Sequence, residues 1–120
     1  MQAREVMYHI GLCKEDVEGI SYAILPGDPG RVKKIADLMD NPRMLAQNRE
    51  YTSAIAEIEG QKVLVMSTGI GGPSASIGVE ELCKLGVKNL IRIGTCGGMQ
   101  LDVQAGDVVI VTGAVRQEGT

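Results

Sequence analysis

Apolar positions along the chain change period several times, and each change marks an element. Residues 22–27, YAILPG, form a short apolar run closed by a turn, the pattern of a buried strand. In the next stretch, DPGRVKKIADLMD (28–40), Val32, Ile35, Ala36 and Met39 recur at i, i+3, i+4 and i+7 and share one helix face. Asp28 suits the N-cap and Pro29 the first helical position, where a missing N–H costs nothing. Residues 51–59, YTSAIAEIE, alternate, with Ala54, Ala56 and Ile58 on one side. Gly60 and Gln61 interrupt them and KVLVMST (62–68) resumes as a strand, so 51–68 reads as a hairpin. A second helix opens at Pro73; its expected buried stripe is Ala75, Gly78, Val79, Leu82 and Cys83, and Gly86 stops it. NLIRIGT (89–95) and DVVIVTG (107–113) read as two further strands.

The order strand, helix, hairpin, helix, strand, strand predicts an α/β fold: a mixed central β-sheet flanked by helices. No linker, repeat or low-complexity stretch divides the 120 residues, which make one domain at most. Only VRQEGT follows the last expected strand, with nothing to cover or close the sheet. The chain therefore reads as the front part of a larger domain.

Composition narrows the class. A hydrophobic fraction of 44% against 22% charged residues is that of a globular chain rather than a disordered one. Three Tyr, with no Phe or Trp, leave few platforms on which single-stranded nucleic acid could stack. A net charge of -3 also argues against a nucleic-acid surface. Cys13, Cys83 and Cys96 form no CxxC pair and are expected to be buried free thiols in a reducing compartment. His9, the single histidine, leaves a zinc site without partners. No apolar run nears 18 residues and no signal-peptide pattern opens the chain, so a cytoplasmic protein without a membrane partner is expected.

Candidate chemistry gathers at glycines. The stretch VMSTGIGGPSAS (65–76) puts a glycine loop between a strand and a helix. A Walker loop needs a lysine, and none occurs here before Lys84. A dinucleotide loop needs GxGxxG and a ribose-binding acid; Ser74 stands at the third glycine and no strand-end acid follows. A tight turn needing glycine for backbone reasons alone stays open. Two other strand ends bear on the choice. Arg31 falls in the first turn after Gly27-Asp28-Pro29-Gly30, where the sign is wrong for the helix dipole but an anion is welcome. Arg92 interrupts an apolar strand before Gly94-Thr95, and its fork suits phosphate. The bland alternatives are a solvated helix charge for Arg31 and a structural ion pair with a glutamate for Arg92. Three glycine-bounded strand ends, two bearing arginine, fit an anion pocket at the carboxyl edge of a sheet.

YHIGL (8–12), LPGDPGR (25–31), NREYT (48–52), STGIGGPS (67–74), VEEL (79–82) and RIGTCG (92–97) together resemble the nucleoside phosphorylase family of one-domain α/β enzymes. Arg49-Glu50-Tyr51 and Thr95 favour its uridine-cleaving branch over the purine-specific one. The resemblance implies phosphorolysis of a nucleoside: inorganic phosphate attacks C1′, releasing the base and leaving ribose 1-phosphate. It implies that Gly27, Arg31, Arg92 and Thr95 hold phosphate, Thr95 also touching the ribose. Arg49 would reach phosphate in a neighbouring subunit, and His9 would bond the 5′-hydroxyl of the neighbour's ribose. Glu50, Ile70 (through its carbonyl) and Ser74 match positions that hold a monovalent cation, potassium, between subunits. It further implies a homo-oligomer, a hexamer of dimers, and no organic cofactor. No nucleophilic side chain separate from these binding residues is needed. In the family, base and ribose hydroxyls are held largely by the second half of the chain, so a purine nucleoside phosphorylase and a truncated, non-catalytic phosphate-binding chain stay open.

Overall fold

A computed structural model describes residues 4–120. Five strands, β1 (Tyr22–Leu25), β2 (Asp40–Asn48), β3 (Tyr51–Ile58), β4 (Gln61–Met66) and β5 (Asn89–Arg92), form one sheet in the order β2-β3-β4-β1-β5. The pairs β2–β3 and β3–β4 are antiparallel, whereas β1 runs parallel to both β4 and β5. The sheet is thus mixed, as the alternation of helices with apolar runs predicts. Helix α1 (Gly30–Ala36) follows β1 and helix α2 (Gly72–Lys84) follows β4.

The pleat sends alternate residues to two cores. On one face Ala23, Leu25, Tyr51, Ile55, Leu64 and Met66 pack with Leu82 of α2 and with Ile10, Leu12, Val17 and Ile20 of the N-terminal segment. On the other, Ala54, Ala56 and Val65 meet Val32 and Ala36 of α1. Small alanines on β3 let α1 approach the sheet closely. With both faces covered, residues 51–56 are buried without a break, although the one-sided pattern put only Ala54, Ala56 and Ile58 inward; Ile58 is 45% exposed.

Five expectations are corrected. Residues 40–48, not read as a strand, form edge strand β2, which tolerates Pro42 because an edge can spare a ladder N–H. Its pairing with β3 shifts register twice, so no clean alternation marks it. Residues 107–113 form no strand: they pair with nothing among the described residues, and Val108–Val111 stay 54–85% exposed. An apolar β-branched run supplies propensity, but only ladder partners realise it. The first helix is shorter than 28–40 and ends at Ala36, although the Asp28 carboxylate does accept the Gly30 N–H at 2.9 Å as its cap. On α2 the buried residues are Gly78, Glu81 and Leu82, continued by Leu85, so Cys83 faces out. Cys83 and Cys96 are exposed free thiols; only Cys13 is buried. Among the described residues, no helix is long and apolar enough to cross a membrane.

Candidate functional site

Two parallel strand ends build the centre of the site. β1 stops at Leu25 because Pro26 has no N–H to continue the ladder, and the chain turns through Gly27. Beside it, Thr68 donates its backbone N–H to the Pro26 carbonyl at 3.0 Å and Gly69 donates to the Gly27 carbonyl at 2.9 Å. The glycine loop and the GDPGR turn are thereby locked edge to edge. Glycine is required at Gly69: its φ is +71°, and a Cβ there would lie 2.8 Å from Cγ of Glu50.

A cleft of about 770 Å³ opens at this edge, lined by Gly27, Arg31, Gly69, Ile70, Arg92 and Thr95 among others. The third strand end, β5, delivers Arg92. Its guanidinium turns back over the sheet edge, donating to the carbonyls of Leu25 at 3.4 Å and of Ile93, with Nη2 3.1 Å from where a Gly27 Cβ would stand. Arg92 is exposed on this edge strand rather than buried. Among the described residues neither Arg31 nor Arg92 has a carboxylate within ion-pair distance, so the expected Arg92–glutamate pair is not formed. Two guanidiniums thus meet at one cleft with no anionic partner of their own, and Asp28 in the same wall is occupied capping α1. At seven residues α1 contributes little dipole, so the positive field of the cleft comes from the arginines.

Behind Gly69 lies a second cluster. Ser74 Oγ sits 2.6 Å from both Glu50 Oε1 and the Thr68 carbonyl oxygen, and one hydroxyl hydrogen can serve only one of them. The Ser74 contact, with help from Glu50's own backbone, holds the Glu50 carboxyl below the ordinary glutamate range. Ser67 secures the position of Glu50 by donating to its carbonyl at 2.7 Å and accepting the Thr52 N–H at 2.8 Å. The Tyr51 hydroxyl donates to the Ser74 carbonyl at 2.7 Å, tying α2 to β3. Ile70, the third residue of the expected cation set, is 98% exposed at the loop tip.

His9 and Arg49 do not line the cleft. They form a separate patch around Tyr8: the Arg49 guanidinium lies 5.4 Å from the centre of the Tyr8 ring, and the His9 ring meets Tyr8 edge-on at 4.9 Å. Asn48 donates to the His9 carbonyl at 2.8 Å, and the His9 ring contacts buried Glu81 on α2. Glu81 received no role from the sequence, yet its signal was there. With Gly78, Leu82 and Leu85 it completes i, i+3, i+4, i+7, an acid at a core position. Burial pushes the Glu81 carboxyl up, but donation by the His9 ring and by the backbone N–H groups of Ile10 and His9 outweighs it and leaves the carboxyl low.

Known proteins resemble the chain closely. The uridine phosphorylase of Klebsiella aerogenes is 55% identical over 113 residues, covering 94% of this chain and 45% of the relative. That of Escherichia coli is 53% identical over the same lengths. A guanosine phosphorylase of Halorubrum lacusprofundi is 51% identical over 112 residues, covering 93% of this chain and 46% of the relative. The chain thus spans a little under half the length of the curated relatives it matches. Residues 21–120, from β1 through the cleft-forming turns and onward, match the phosphorylase superfamily, and the chain belongs to that family.

Proposed function

We propose that the chain is the N-terminal part of a single nucleoside phosphorylase domain, and that the full-length protein cleaves uridine with inorganic phosphate to uracil and ribose 1-phosphate. The observation that carries this reading is the cleft at the sheet edge, where Arg31 and Arg92 converge without a carboxylate partner in a chain 53–55% identical to uridine phosphorylases. Gly27 lets the Arg92 fork lie close to the backbone, and Thr95 adds a hydroxyl at the mouth. Phosphorolysis develops oxocarbenium character at C1′, so a phosphate dianion held on the far side of the breaking bond both attacks and stabilises. The arginines orient it through charge-assisted bonds worth about 1.5–3 kcal/mol each. No covalent enzyme intermediate is required. Three free thiols accord with a reducing, cytoplasmic setting.

In this reading the Tyr8 patch serves a neighbouring copy in a homo-oligomer, a hexamer of dimers. Arg49 adds a third guanidinium to the neighbour's phosphate, and His9 bonds the 5′-hydroxyl of its ribose. The cluster behind Gly69 fits a hard monovalent cation such as potassium: carboxylate, hydroxyl and carbonyl oxygens are gathered with one hydrogen to share, and Glu50 stays ionised. Glu50, Ser74 and the Ile70 carbonyl would hold it, supplying charge that fixes the loop.

The test is phosphate-dependent release of uracil by the full-length protein. Arg31→Ala and Arg92→Ala should each raise the KM for phosphate roughly tenfold to a hundredfold. Equal cleavage of uridine without phosphate would overturn the reading. The guanosine phosphorylase relative makes a purine substrate the second reading. A panel of uridine, guanosine and inosine separates the two.

A further inference from the structure

The His9 ring is held rather than loosely displayed. Its Nδ1 lies 2.6 Å from Oε1 of Glu81, whose side chain is 10% exposed, while the His9 side chain keeps 35%. The same carboxylate accepts the backbone N–H of Ile10 at 2.9 Å and of His9 at 3.2 Å. Three N–H groups on one buried carboxylate match the needs of an ionised acid. An ionised carboxylate only accepts, so the hydrogen between Glu81 and the ring belongs to Nδ1. In the neutral imidazole this leaves Nε2 without a hydrogen and with its lone pair available. Asn48 fixes the His9 carbonyl and Tyr8 meets the ring edge-on, so backbone and ring are braced together.

We propose that Glu81 is a positioning residue that locks His9 in the Nδ1–H tautomer, so that Nε2 accepts a hydrogen bond from the 5′-hydroxyl of a nucleoside and favours nucleosides that carry it. The identity of that hydroxyl rests on the functional reading above; the tautomer is a property of this chain alone. Locking matters because it makes the hydroxyl the donor and Nε2 the acceptor, whereas a ring presenting Nε2–H would reverse the bond and give up its contact with Glu81.

Two measurements test this. Nitrogen NMR of the full-length protein should show the neutral His9 ring protonated at Nδ1, with the Glu81→Gln variant shifting towards Nε2–H. A wild-type ring protonated at Nε2, or an unchanged tautomer in the variant, overturns the proposal. In the full-length protein, Glu81→Gln should lower the ratio of kcat/KM for uridine over 5′-deoxyuridine roughly tenfold, the value of one hydrogen bond. If Glu81 only fastened the N-terminal segment to α2, both substrates would suffer alike and the ratio would hold. Should the full-length protein leave uridine intact, the functional reading fails, while the nitrogen spectrum still decides the tautomer.

Discussion

Arg49 holds a φ of 51° in the two-residue turn between β2 and β3, a left-handed conformation that suits glycine and costs an arginine about 1 kcal/mol. Glu59 takes the same φ of 51° at the matching position of the β3–β4 turn, so the conformation belongs to the hairpin geometry. Arg49→Gly should raise the melting temperature by about 4 °C; under the function proposed above it should also weaken phosphate use by the full-length protein, a split that calorimetry and kinetics read separately. Gly69→Ala should destabilise instead. It combines an unfavourable φ with a close approach to the root of the Glu50 side chain, so a loss of about 2 kcal/mol is expected in chemical denaturation. Thr52 presents a third case, since its Oγ1 is buried with no hydrogen-bond partner. Thr52→Val replaces that orphan with a methyl of similar volume and should be neutral or stabilising by about 1 kcal/mol.

At the scale of elements, patterning was informative where an element has one covered face or a sharp boundary. The cap at Asp28, the start of α2 at Gly72-Pro73 and the β3–β4 hairpin could all be read from residue type. What stayed hidden was decided by neighbours. β2 is a strand because β3 lies beside it, not because DNPRMLAQN resembles one. Residues 107–113 resemble a strand and find no neighbour. The cleft followed the same division. Gly27, Arg31, Arg92 and Thr95 could be gathered from three strand ends, whereas the brace of Glu81 on His9 needed the packing of α2 against the N-terminal segment. That packing centres on Leu82, fully buried in the larger core. Leu82→Ala should cost about 2–5 kcal/mol and loosen the Tyr8 patch with it, seen as early hydrogen exchange at Ile10.

For the molecule as a whole, two carboxylates tie acid stability to the site. Glu81 and Glu50 both have folded pKa values below the ordinary glutamate value, so each binds its proton less readily folded than unfolded. Their contribution is whole above about pH 4.3, where the unfolded group is ionised, and disappears as pH falls through the lowered folded value. Thermal midpoints should therefore drop as pH is lowered below about 5, and Glu81→Gln should flatten that slope. The sheet order carries a different consequence. β1 precedes every other strand, yet it is hydrogen-bonded between β4 and β5, whose paired residues come roughly 40 and 65 positions later. The β2-β3-β4 meander closes through two-residue turns and can assemble from local contacts while β1 waits. On a ribosome adding about 5–20 residues per second, β1 emerges seconds before its partners exist. The Gly27 turn at the end of β1 therefore cannot be locked to the glycine loop until β4 has been made, and the cleft cannot receive Arg92 until β5 has followed.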